Sequence, residues 1–124
     1  MAIFSNFIPE PIQHKSSVGH LKKRLDWGEP ALTIIDVRTR ESFNISHIQG
    51  SISMPMDEPA DLTLASLESS RDIYLYAETN EQTAVAANKL RQAGYQNISE
   101  LIGGLTAWKK AKYPIEGWWS MSTS

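Results

Sequence analysis

Two short runs, LTIIDV (32–37) and DIYLYA (72–77), constrain the fold more than anything else in the chain. Each is β-branched or aromatic and nearly all apolar, which is the pattern of a strand covered on both faces rather than on one. Strands of that kind belong to sheets sandwiched between helices, so the intervening segments must supply helices.

They do. Ser16-Ser17 offer an N-cap, Val18, Leu21 and Leu25 recur at helical spacing, and Gly28 and Pro30 stop the run. RESFN (40–44) predicts a short helix, and Ile52 to Met54 a short strand closed by Pro55. Residues 55–70 read as a loop with a short helix near Leu62–Leu67. Thr79 to Ala93 places Ala86, Ala87, Leu90 and Ala93 on one face before Gly94 ends it. Ile98 to Ile102 predicts a strand, Gly103-Gly104 a turn, and Leu105 to Ala111 a last helix stopped at Tyr113-Pro114. Before residue 15, Pro9 and Pro11 break any helix. Strands alternating with helices predict a parallel sheet with helices on both faces, in one domain for 124 residues. Ligands of such sheets sit at the carboxyl ends of strands, near the point where strand order reverses. Asp36-Val37-Arg38 and Ala77-Glu78-Thr79 are therefore the candidate site.

Three separated segments, in order, carry a resemblance. IIDVRTRESFNISHIQGSISMP (34–55) contains Asp36, Arg38, Glu41, His47 and Gly50; DIYLYAETNEQTA spans 72–84; GGLTAWKKAKYPIEG (103–117) contains Gly103, Gly104 and Trp108. Together they resemble rhodanese-like domains. The resemblance implies a three-layer α/β/α fold with a five-stranded, mostly parallel sheet over 15–117, an N-terminal extension (1–14) and a tail (118–124). It gives Asp36, Arg38, Glu41, His47, Gly50, Gly103, Gly104 and Trp108 structural places near the cleft. It also implies a chemistry: a cysteine ending the fourth strand takes a sulfane sulfur from a donor such as thiosulfate and passes it to a thiophile. The loop after it, Cys-x-x-x-x-Arg-Ser/Thr, curls backbone N–H groups around that anion at a helix N-terminus.

This chain departs from the pattern at that point. The cysteine position falls on Ala77 and the arginine position on Gln82, while Thr83 keeps the small hydroxyl; the chain holds no cysteine anywhere. Cysteine-based sulfur transfer is thereby excluded, as are disulfides, zinc–thiolate sites and iron–sulfur ligation. Glu78 and Glu81 add negative charge where an anion would arrive. One carboxylate about 5 Å away opposes an anion by roughly 3 kcal/mol at an effective dielectric near 20, before screening. The vestigial loop Glu78, Thr79, Asn80, Glu81, Gln82, Thr83 has two readings. In one, it satisfies its own helix end, with Thr79 or Asn80 as N-cap and Gln82 reaching back. In the other, it recognises a basic peptide or cation.

The remaining candidates reduce to structure. Asp36, Ser42 and His47 lack a Gly-x-Ser-x-Gly elbow, so no hydrolase triad is expected. His14, His20 and His47 share no metal-ligand spacing, and Asp57, Glu58 and Asp61 lack the glycine and terminal Glu of a calcium loop. Neither metal nor cofactor is expected. Trp27 and Trp108 are expected to pack inside. Phe4, Phe7 and Ile8 before the domain, and Trp118 and Trp119 after it, either cover one another or form a homodimer interface.

With 12 basic and 14 acidic residues there is no basic block for nucleic acid or an anionic membrane. MAIFSNFIPEP has no basic region ahead of an apolar core, so no signal peptide is expected and the location is expected to be cytoplasmic. The resulting expectation is a rhodanese-like domain without sulfurtransferase activity, serving as a binding or regulatory module for an unidentified protein or peptide. The alternative is a thiosulfate-type sulfurtransferase, if Ala77 replaces a native cysteine.

Overall fold

The computed structural model describes residues 12–28, 31–57 and 67–118. In chain order these form β1 (Lys15–Ser16), α1 (Val18–Asp26), β2 (Leu32–Asp36), α2 (Arg40–Ile45), β3 (His47–Ile48), β4 (Ile52–Ser53), β5 (Asp72–Tyr76), α3 (Asn80–Gln92), β6 (Asn97–Leu101), α4 (Gly104–Lys110) and β7 (Ile115–Glu116). The main sheet has the order β1-β6-β5-β2-β4, with every pairing parallel. β3 and β7 form a separate antiparallel pair.

The two runs that dominated the sequence lie side by side at the centre, Leu32 opposite Asp72 through Asp36 opposite Tyr76. Alternate side chains feed two cores. Ile35, Ile73, Leu75 and Ile98 pack on one face against Ala86, Ala87 and Leu90 of α3. Ile34, Tyr74, Tyr76 and Leu101 pack on the other against Leu21 of α1 and Leu105 and Trp108 of α4. Each such fully buried aliphatic side chain contributes about 1.5–3 kcal/mol. From β2 the chain moves outward to β4, and from β5 it moves the opposite way to β6. The strand order therefore reverses between β2 and β5, and their carboxyl ends face one crevice.

Several expectations need correction. Trp27 is 80% exposed rather than packed. It caps α1 two residues after Leu25, about 200° around the helix from the buried stripe. Ala93 is exposed because α3 ends at Gln92 and Gly94 turns the chain at φ +100°. The strand expected at 98–102 is β6, which runs 97–101 and leaves Ile102 partly exposed, and α4 begins at Gly104. β1, β3 and β7 were not anticipated, since two-residue strands carry no readable period. The helix expected near Leu62–Leu67 falls mostly outside the described residues, as do Pro9, Pro11, Pro30, Glu58, Asp61, Phe4, Phe7, Ile8 and Trp119. Trp118 is 57% exposed.

Leu75→Ala should lower stability by about 2–5 kcal/mol, read from the urea midpoint, because Leu75 is wholly buried in the central strand. Val85→Ala, on the exposed side of α3, should stay within about 0.5 kcal/mol.

Candidate functional site

The crevice is organised by a buried ion pair. Asp36, with no exposed surface, ends β2 and accepts from the Arg38 backbone N–H at 2.9 Å, from Arg38 Nε at 3.1 Å and from Arg38 Nη2 at 2.7 Å. Arg38 Nη2 also donates to the Ser46 carbonyl at 2.6 Å, tying the end of α2 to the strand. The guanidinium lies over the Tyr76 ring, 5.6 Å from its centre. Burial opposes the charge on Arg38, yet the Asp36 hydrogen bonds and charge outweigh it and hold the pKa above its ordinary value. Tyr76 moves upward too, first through burial and then through the Asp36 carboxylate. Its hydroxyl accepts from the Ile48 N–H at 3.1 Å and lies 3.4 Å from Ser51 Oγ.

One residue beyond β5, Ala77 places a methyl group at the strand end, 7% exposed. Its N–H donates to Thr83 Oγ1 at 2.9 Å, and that hydroxyl donates onward to the Thr79 carbonyl at 2.9 Å. Thr79, not Asn80, is the N-cap of α3: its hydroxyl accepts from the Gln82 N–H at 3.1 Å. Asn80 is freed for another task, and its Oδ1 accepts from the Gly103 N–H at 3.1 Å. Glu81 and Gln82 are exposed on the first turn. Glu78 turns back over the ion pair, its Oε1 3.6 Å from Arg38 Nη1.

Two depressions flank Ala77, and Arg38, Ala77 and Glu78 line both. The larger, about 230 Å³, is completed by Ser42 and Ile45 of α2, by its C-cap Ser46, and by Gly103, Leu105, Thr106 and Lys109 around α4. The smaller, about 170 Å³, reaches Val37, Thr39, Met56, Asp57 and Gln82. Sequence reasoning missed Thr106 and Lys109, although Lys109 follows Leu105 by four residues and Thr106 by three, which puts the three on one helix face. Ser46 contributes a backbone carbonyl and left no side-chain signal.

The other candidates serve the scaffold. Gly103 caps α4 at φ +81°, where a Cβ would stand 2.5 Å from the Ala107 Cβ; at Gly104 it would stand 3.3 Å from the Tyr76 Cβ. Trp108 is buried and donates from Nε1 to the Pro114 carbonyl at 2.7 Å. His47 stacks on Phe43 with its Nδ1 2.6 Å from the Phe43 carbonyl. Gly50, at φ +85°, donates its N–H to Glu116 at 2.8 Å, and Glu41 is exposed in the first turn of α2. Ser42 Oγ accepts from the Thr39 hydroxyl at 3.0 Å, so Asp36, Ser42 and His47 each serve separate partners. Among the described residues no helix is long and apolar enough to cross a membrane.

The profile of the Rhodanese-like domain family matches residues 17–111. The Candida albicans protein named adenylyltransferase and sulfurtransferase UBA4 is 33% identical over 113 residues, covering 86% of this chain and 24% of its own. The solution structure of the rhodanese-like domain of Alr3790 from Anabaena sp. is 49% identical, with a TM-score of 0.82 over 88% of this chain and 83% of that one. The BH2092 protein of Bacillus halodurans is 27% identical, with a TM-score of 0.79 over 86% and 78% of the two chains. The chain spans between a fifth and a half of the length of the curated relatives it matches.

Thr83→Val keeps the shape of the buried side chain but removes its hydroxyl. It should cost about 1–3 kcal/mol and make the Ala77 amide among the first of the strand end to exchange with solvent. Tyr76, neutral in the fold, adds stability that is complete below about pH 10, its unfolded value, and is lost as pH rises past it. Urea midpoints should therefore fall more steeply above pH 10 in the unmodified chain than in Tyr76→Phe.

Proposed function

The chain belongs to the rhodanese-like domain family, and we propose that it acts there as a binding or regulatory module that passes no sulfur through a cysteine. One observation carries this reading. Where the family's chemistry needs a sulfur nucleophile, at the end of the fourth strand of the main sheet, there is the methyl group of Ala77. No cysteine elsewhere in the chain can replace it.

The surrounding loop supports the same conclusion. Gln82 brings no positive charge to offset Glu78 and Glu81. A fold does not confer an activity that its site lacks the atoms to perform. The sulfurtransferase and adenylyltransferase activities named for relatives belong to much longer chains.

The role left to such a domain is recognition of a protein or peptide. A cysteine-free chain is compatible with a reducing, cytoplasmic setting. The partner surface includes the crevice around Ala77, and the apolar termini, with Trp118 exposed, are the surface for self-association.

A thiosulfate–cyanide assay tests the reading. The unmodified chain should form no thiocyanate above a protein-free blank, whereas Ala77→Cys with Gln82→Arg should gain turnover. Thiocyanate formation by the unmodified chain would overturn the proposal.

A further inference from the structure

We propose that Glu78 sets the charge specificity of the larger cavity, serving as a built-in counter-ion on Arg38 that keeps small oxyanions out. The inference rests on the reading above, that this site receives no anionic sulfur donor, and names the residue that enforces it.

Arg38 is held rigidly. Its Nε and Nη2 are committed to Asp36 and to the Ser46 carbonyl, and only 8% of its side chain is exposed. Nη1 is the nitrogen that meets Glu78, at 3.6 Å, an ion-pair distance beyond hydrogen-bond range. The Glu78 side chain is 60% exposed, so its carboxylate stands at the cavity mouth rather than in the core. Lys109 and Thr106 line the same cavity of about 230 Å³. The charges of Asp36, Arg38, Glu78 and Lys109 cancel. Without the Glu78 charge the four groups carry a single net positive charge, that of Lys109, while Asp36 still balances Arg38 and Nη1 offers a fixed, planar donor to an oxyanion. Glu81 makes a clean comparison, because it carries the same charge on the same loop but does not line the cavity.

The experiment titrates the full chain with sodium sulfate at constant ionic strength and follows the amide signals of residues 77–83 and Gly103. The unmodified chain and Glu81→Gln should show no saturable shift into the tens of millimolar. Glu78→Gln should bind sulfate at least about tenfold more tightly, since it removes a like charge within a few ångströms of the ion. Glu78→Gln combined with Lys109→Ala should lose most of that gain. The amide spectra also report that each variant is folded. The proposal is overturned if Glu78→Gln binds no more tightly than the unmodified chain, if Glu81→Gln gains as much, or if the double variant keeps the whole gain. Those failures leave the functional reading standing so long as the unmodified chain is inert with thiosulfate and cyanide.

Discussion

The Asp36–Arg38 pair sits where β2, the end of α2 and the end of β5 meet at the crevice. Taking two charges out of water carries a large desolvation cost, and the pair is tolerable only when the remaining polar atoms are also met. Here they are: the carboxylate also receives the Arg38 backbone N–H, and the guanidinium reaches the Ser46 carbonyl. Those bonds fix the end of β2 against the end of α2. Removing one partner would strand the other, at a cost of about 3–5 kcal/mol. Because the guanidinium cannot move, whatever lies over Nη1 is held to a fixed charge, and in this chain that is Glu78.

The neighbouring loop is closed by a different means. Two threonine hydroxyls, Thr79 and Thr83, take up amide donors between residues 77 and 83, and Asn80 spends its side-chain oxygen on the cap of α4. A donor already bonded within the protein gains little by meeting a ligand, since one hydrogen bond is exchanged for another. At this position Ala77 supplies no sulfur, and Glu78 adds negative charge beside the strand end.

Tyr76 joins the site to the core. Its ring is fully buried against α4's side of the sheet, its hydroxyl holds β3 through Ile48, and its face carries the Arg38 guanidinium. The crevice is therefore a surface feature resting on the central strands, so changes in the loop that leave Tyr76 and Asp36 alone need not disturb the fold. A family scaffold can in this way persist after the atoms for one activity have gone.

Much of the fold was legible because it follows from local periodicity. The unbroken apolar runs at 32–37 and 72–77, the stripe of Ala86, Ala87 and Leu90, and the cap at Ser17 are properties of nearby residues, and the sheet follows from them. Trp27 shows the limit: an aromatic residue near the end of an amphipathic helix reads as core, yet its angle around the axis leaves it in solvent. The missing nucleophile, too, is a fact of the sequence alone, since no folding can supply an absent sulfur. What only the tertiary structure decided is how the remaining groups divide their bonds. Thr79 rather than Asn80 caps α3 because Gly103, twenty-three residues away in sequence, claims Asn80, and Glu78 meets Arg38 because two strand ends lie side by side. Contacts between residues far apart in the chain depend on the packed geometry, and composition and spacing do not encode them one residue at a time.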